Sequence, residues 1–234
     1  MTREETAGTP LPPDEMPGAV PYAIPHIVLR APTQQDGRRP LYRVGGKLLR
    51  VEQYASHVLS NAGWSVVKGD DAHLFFSVLS CNFKDSFFRE VCRNWVGASA
   101  EDRIARIDAA VTGSLAAGKL QAGLVDEAEA MLLKYYASYP PKQAVHAAVA
   151  KHVRSMDQGL VLRLIAFYRG AGYTTKGAPD LFAASGGSFW FVEVKSQKDS
   201  LSAAQYEFFE GYLTSVAQNI LVLRVVPEAS GSSG

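Results

Sequence analysis

Apolar positions follow two registers along this chain. Helical spacing dominates from Val51 to about residue 168, and short apolar runs of strand length dominate after it. Val51, Tyr54, Ala55, Val58 and Leu59 form one stripe, predicting a helix that Asn61-Ala62-Gly63 ends. Lys68-Gly69-Asp70-Asp71 reads as a turn into one long apolar helical stretch, HLFFSVLSCNFKDSFFREVCRNWV. Its Phe75, Phe76, Phe83, Phe87 and Phe88 are core candidates rather than a stacking platform. Further helices are expected over ASAEDRIARIDAAVTGSLAAG, with Ser99 as cap and Ile104 and Ile107 inward, and over VDEAEAMLLKYYASY. Pro140-Pro141 is expected to stop the latter. Another helix runs from Gln143 to Ser155, Asp157-Gln158-Gly159 breaks the chain, and Leu160 to Tyr168 is helical. Then come strands at about 180–184 and 189–195, a helix at about 202–217 and a strand at 220–226. No internal repeat is visible.

Helices first, then strand, strand, helix and strand, predict an α/β domain with a long helical front section. Residues 1–24, rich in Pro, Gly, Thr and acids, read as a flexible arm. Residues 25–140 are the mainly helical front, 141–228 the core, and 229–234 a disordered tail. DGRRPLYRVGGKLLR gathers Arg38, Arg39, Arg43, Lys47 and Arg50 around Gly45-Gly46. It reads as a solvated hairpin or as an edge that contacts phosphate.

Composition narrows the partners only locally. A formal charge of +1 over 234 residues gives no global attraction to nucleic acid or membrane, so any such attraction must be a patch. No apolar run is long enough to span a bilayer. The first residues carry acids and prolines and no apolar core of a secretory signal. Cys81 and Cys92, eleven apart, are expected to be reduced core residues, which fits a cytoplasmic location. The five histidines form no zinc-like pair and receive no role.

The chemistry concentrates in GAPDLFAASGGSFWFVEVKS. Glu193 and Lys195 interrupt an apolar strand one residue apart, and so share a face. Asp180 starts one strand and Glu193 lies near the end of the next, so the two can face each other across a hairpin. Two carboxylates and a lysine suit a hard divalent cation, which needs only one or two protein carboxylates beside water and substrate phosphate. The Val194 carbonyl lies between Glu193 and Lys195 and could be a further ligand. The plainer reading is a structural ion pair at a strand end.

Pro179-Asp180, twelve residues, then Glu193-Val194-Lys195 resembles the PD-(D/E)XK nuclease signature. The longer string, from Gly177 and Leu181 through Asp199, Leu201 and Ser202 to Gln205, resembles its VRR-NUC branch. Upstream, VEQYASHVLSNAGWSVVKGDDAHLFFSVL is similar to the start of the nuclease region in Fanconi-associated nucleases. The resemblance covers about Val51 to Val226 and implies a restriction-endonuclease-like core, a mixed β-sheet flanked by helices. It further implies Mg²⁺- or Mn²⁺-dependent hydrolysis of DNA phosphodiesters at flaps or related branches, in the service of repair.

By that resemblance Asp180, Glu193 and Val194 hold metal, with Glu52 and Asp70 as added acids, and Lys195 and Gln205 complete the catalytic set. Each keeps a competing reading. Gln205 stands at capping-box spacing from Ser202, Glu52 could be a first-turn acid favoured by the helix dipole, and Asp71 competes with Asp70. Where family members tend to show a glutamate flanked by glycines, this chain has Gly69-Asp70-Asp71. Lys176, Arg169, Arg163 and Lys198 are candidate contacts to the DNA backbone, or plain solvated cations.

The expected activity is therefore a structure-specific DNA nuclease, endo- or exonucleolytic, on flap, branched or single-stranded DNA. The same chemistry could serve an antibacterial effector with a cognate inhibitor protein, or a mobile element. A catalytically silent DNA-binding module is the third reading. Stand-alone cores of this kind sometimes form homodimers, although no strongly apolar surface helix supports pairing here.

Overall fold

A computed structural model describes residues 24–36, 39–81, 86–95, 97–171, 177–216 and 219–228. Most of the N-terminal arm, the C-terminal tail, Arg38, Phe83 and Lys176 lie outside them. The elements run β1 (His26–Ala31), β2 (Thr33–Asp36), β3 (Arg39–Val44), β4 (Lys47–Leu49), α1 (Val51–Asn61), β5 (Ser65–Lys68), α2 (Gly69–Leu79) and α3 (Ser86–Arg93). They continue α4 (Ala100–Ala117), α5 (Leu124–Tyr135), α6 (Pro140–Ser155), α7 (Gln158–Gly170), β6 (Leu181–Ser185), β7 (Ser188–Ser196), α8 (Ala203–Val216) and β8 (Ile220–Pro227).

A five-stranded mixed sheet, ordered β1-β8-β7-β6-β5, organises the molecule. β6 and β7 form an antiparallel hairpin around Gly186-Gly187, whereas β7 and β8 are parallel and joined through α8. β1 extends the parallel half and β5 the antiparallel half. Alternation along β7 then divides its side chains between two cores. Phe189 and Phe191 enter the larger core with Phe76, Phe182, Tyr168, Phe209 and Tyr212. Val192 and Val194 enter the smaller one, with Leu223, Ala55 of α1 and Tyr42 of β3. Tyr42 also donates to the Val225 carbonyl (3.2 Å), fastening the small sheet β2-β3-β4 to the large one.

The front section departs from the helical expectation because strands there borrow their partners from far along the chain. β1 carries the apolar run His26–Ala31 but is completed only by β8, and β5 only by β6. Ile24, within the expected arm, is buried in the larger core. The Lys68–Asp71 turn is instead the junction of β5 and α2, with Gly69, Asp70 and Asp71 opening the helix. The long Phe-rich helix is two: α2 ends at Leu79, and Cys81 sits at φ 55°, which no helix continues. Pro140 and Pro141 do not end α5, which stops at Tyr135. They open α6, where proline costs no hydrogen bond. Asp157 caps α7 through Leu160 N (2.8 Å), so the expected break is a helix start.

The expected caps and hairpin are present. Ser99 Oγ accepts from Asp102 N (3.1 Å), Ile107 is buried, and Gly45 and Gly46, both at positive φ, turn β3 into β4. Both cysteines are free thiols; Cys92 is buried, and burial pushes its pKa up to about 11. No described helix is long and apolar enough to cross a membrane.

Candidate active site

β6 and β7 pair only as far as Leu181 opposite Val192. Beyond that pair the β7 edge is open, and Asp180, the residue before β6, fills it with a side chain: its Oδ2 accepts from Val194 N at 2.9 Å. In an extended strand one residue's N–H and C=O address the same edge, so the Val194 carbonyl also faces the Asp180 side.

Two helix starts grip the Pro179-Asp180 segment. Gly69, opening α2, donates its N–H to the Asp180 carbonyl at 2.7 Å. A β-carbon there would stand 1.8 Å from the Pro179 carbonyl oxygen, so only glycine permits this approach. On the other side Gly177, at φ 85°, lies against the first turn of α8, where a β-carbon would meet the Ala204 carbonyl oxygen at 2.0 Å.

Glu193 and Lys195 are almost wholly buried on the β7 face that continues from Phe191. Lys195 Nζ lies 2.8 Å from Glu193 Oε1, and Gln205 Nε2 donates to the same oxygen at 2.5 Å. Gln205 Oε1 accepts from Lys195 Nζ (3.0 Å) and also from Ser202 N (2.9 Å). The capping and site readings of Gln205 are thus not alternatives. One amide closes the α8 cap with its oxygen and holds both Glu193 and Lys195. Glu193 Oε2, buried, has no hydrogen-bond partner.

Electrostatics follow from burial. Desolvation and then the neighbouring Asp180 charge push the Glu193 carboxyl up to about 7, against the pull of Lys195. Desolvation also raises Asp180, and the Glu52 charge adds to it, opposed by the Val194 N–H and Lys195. Two carboxylates that resist ionising together, one with a bare oxygen, have the charge deficit that a cation relieves. Among the described residues no three His, Cys, Asp or Glu side chains converge as a metal-ligand group. The Asp180–Glu193 pair with the Val194 carbonyl is the smaller set that Mg²⁺ completes with water and phosphate.

The other candidates fall around this centre. Glu52, exposed in the first turn of α1, is close enough to act on Asp180. Asp70 is exposed in the first turn of α2, one residue past the Gly69–Asp180 contact. Asp71 is instead buried and ion-paired with Lys142 of α6. Lys198 is exposed in the turn after β7, and Arg163 is exposed on α7. Arg169 is held by α4, 2.7 Å from Asp108 and 3.2 Å from Thr112.

Sequence reasoning missed the residues that aim the site. Arg224 Nη1 donates to the carbonyls of Ser196 (2.8 Å), Gln197 (3.2 Å) and Asp199 (2.8 Å), locking the turn that carries the chain from Lys195 to α8. Asp199 Oδ2 accepts from Ser196 N (3.0 Å) and Oγ (2.6 Å) within that turn. A lone arginine in the apolar run ILVLRVVP was the available signal.

The sequence matches no known protein-family profile, and no curated protein resembles it. Its fold does have counterparts among solved structures. One is paFAN1 bound to 5′-flap DNA with a 2-nucleotide flap and a gap: TM-score 0.57, 16% identity, covering 93% of this chain and 40% of that one. Another is paFAN1 bound to a gapped 5′-flap DNA with a 1-nucleotide flap: TM-score 0.58, 16% identity, covering 91% and 39%. The chain thus spans about two fifths of the structures it matches. At this identity the likeness shows the fold, a mixed α/β architecture like that of the FAN1 nuclease structures and in line with the expected restriction-endonuclease-like core.

Proposed function

We propose that this protein is a divalent-metal-dependent DNA nuclease that hydrolyses phosphodiester bonds, with flap or branched DNA as its substrate. The observation that carries the reading is Glu193: a buried carboxylate with one oxygen held by Lys195 and Gln205 and the other bare beside Asp180. A structural ion pair would spend both oxygens on partners, whereas this arrangement reserves one for a ligand. The fold shared with flap-bound paFAN1 structures supports DNA as the partner.

Asp180, Glu193 and the Val194 carbonyl would hold Mg²⁺ or Mn²⁺, which supplies Lewis acidity and a water of lowered pKa. Lys195, fixed by Glu193 and Gln205, presents its remaining N–H toward the attacking water or the phosphate oxygen on which charge develops. Gln205 keeps the ammonium from swinging away, because its own oxygen is pinned to the α8 cap. Asp180 is fixed through Val194 N, so its remaining oxygen cannot rotate out of the site. Glu52 and Asp70 stand at the rim as ligands for a second ion. Lys198 and Arg163 are the exposed cations for the DNA backbone.

The test is cleavage of labelled flap, single-stranded and duplex DNA with Mg²⁺, Mn²⁺ or EDTA. Metal-dependent cutting that Asp180→Asn abolishes is expected. Salt-sensitive binding with no cutting under any metal would assign a silent DNA-binding module instead.

A further inference from the structure

His73 takes no part in the proposed chemistry, yet it touches the neighbour of every element that supplies it. It is fully buried on α2. Its ring stacks on Phe191 (centroids 4.8 Å, 17° between planes), two residues before Glu193 on the same face of β7. It meets Phe208 edge-on (5.4 Å, 74°), one helical turn beyond Gln205. Nδ1 is hydrogen-bonded to the Tyr168 hydroxyl of α7, and the ring also bonds the backbone of Pro179, the residue before Asp180.

Hydrogen-bond bookkeeping fixes the tautomer. Burial keeps the imidazole neutral, its pKa lowered to about 3, so it owns one N–H and one lone pair. Proline has no backbone N–H, so the Pro179 group can only accept, and the ring nitrogen facing it must donate. Nδ1 is occupied by Tyr168, so that donor is Nε2. The Tyr168 hydroxyl must then donate to Nδ1. The result is a directed chain: Tyr168 O–H to His73 Nδ1, and His73 Nε2–H to the Pro179 carbonyl. The same carbonyl is the atom against which Gly69 lies, and the next carbonyl, of Asp180, accepts from Gly69 N.

We infer that His73 is a positioning residue that, with Tyr168, fixes the Pro179-Asp180 peptide and thereby the reach of Asp180 toward Glu193. A phenylalanine of similar size could fill the cavity and stack on Phe191, so packing alone does not require histidine; the hydrogen bond to Pro179 does.

This inference rests on the proposed metal site, and its tests separate the two. In the wild-type protein, ¹⁵N imidazole shifts should show His73 as the Nε2–H tautomer at neutral pH, with or without metal or DNA. An Nδ1–H tautomer or an imidazolium overturns the inference and leaves the nuclease reading standing. His73→Phe should fold but lose roughly 10- to 100-fold in Mn²⁺ affinity, as observed when groups that orient metal ligands are removed. Mn²⁺ electron paramagnetic resonance titration reads this without DNA. The same loss should appear in kcat with KM for DNA unchanged. His73→Gln, whose amide can place an N–H near the Nε2 position, should recover most of it even if its melting temperature is no higher than that of the Phe variant. Losses that track melting temperature across Phe, Gln and Tyr168→Phe, or wild-type Mn²⁺ affinity and kcat in His73→Phe, mean that the residue only packs. A wild-type protein with the Nε2–H tautomer that cuts no DNA would sink the nuclease reading and not the His73–Pro179 bond.

Discussion

Gln205 donates to Glu193 Oε1 at 2.5 Å while its own oxygen, which also accepts from Lys195, closes the cap of α8. A helix start and a buried carboxylate are therefore set by one amide. Gln205→Glu separates the two jobs. A carboxylate can still accept from Ser202 N and Lys195 Nζ, but it cannot donate to Glu193 and repels it. We expect this variant to melt within a few degrees of wild type and to lose most activity. Gln205→Ala should lose activity and also about 1 kcal/mol of stability, the usual worth of a cap. Thermal melts beside cleavage rates decide it; equal activity losses with equal destabilisation would mean that Gln205 is only a cap.

Lys195 is the sole cation in hydrogen-bonding contact with Glu193 among the described residues. Lys195→Met keeps the apolar stem and removes the ammonium. The expected result is a fall in kcat of roughly 10²- to 10³-fold, the scale seen when one charge-stabilising donor is lost. KM for DNA should stay near wild type. A KM rise with unchanged kcat would assign Lys195 to binding rather than to the chemical step.

The raised Glu193 pKa sets a pH dependence whose sign can be worked out. Its folded-state value, about 7, exceeds the ordinary 4.5, so between these values the folded metal-free protein binds more protons than the unfolded chain. Its stability contribution is complete below about pH 4.5 and is lost as pH rises through 7. Asp180, also raised, adds in the same direction. Metal binding needs the ionised form, so cleavage should climb about tenfold per unit below pH 7 and level off above it. Melting curves from pH 4.5 to 8 should show wild type losing stability in the absence of metal and recovering it with Mg²⁺, because a ligand that binds only the folded state stabilises it. Glu193→Gln should flatten the slope; an unchanged slope would place the titration elsewhere.

How much of this was legible depended on how far each residue's partner lay along the chain. The β6–β7 hairpin, α8 and the Asp180, Glu193, Lys195 and Gln205 set lie within 26 residues of one another, and local alternation and spacing exposed them. β1 and β5 were not legible, because neither forms a sheet with its neighbours in sequence; their partners, β8 and β6, lie more than a hundred residues away. The Lys68–Asp71 junction looked like a turn for the same reason, since only the Pro179 backbone explains Gly69. His73 and Arg224 were passed over as one histidine and one charge in apolar surroundings. Their partners are backbone carbonyls, which no residue type announces.

Gly177 gives the most direct check that the Pro179-Asp180 segment is aimed by backbone contact. Its φ of 85° is costly for any side chain, and a β-carbon would stand 2.0 Å from the Ala204 carbonyl oxygen. Neither Ala204, in the first turn of α8, nor the Pro179-Asp180 segment, held by Gly69, can yield without moving Gln205 or Asp180. Gly177→Ala should therefore cost on the order of 3 kcal/mol from strain alone and reduce cleavage beyond what the unfolded fraction explains. Gly45→Ala, also at positive φ but with nothing within 4 Å, is the control. It carries the conformational cost without the clash, and its folded fraction should cut at the wild-type rate. Chemical denaturation of both variants, with cleavage rates corrected for folded fraction, distinguishes the cases. If the Gly177 variant cuts normally once corrected, the contact with α8 serves folding and not the site.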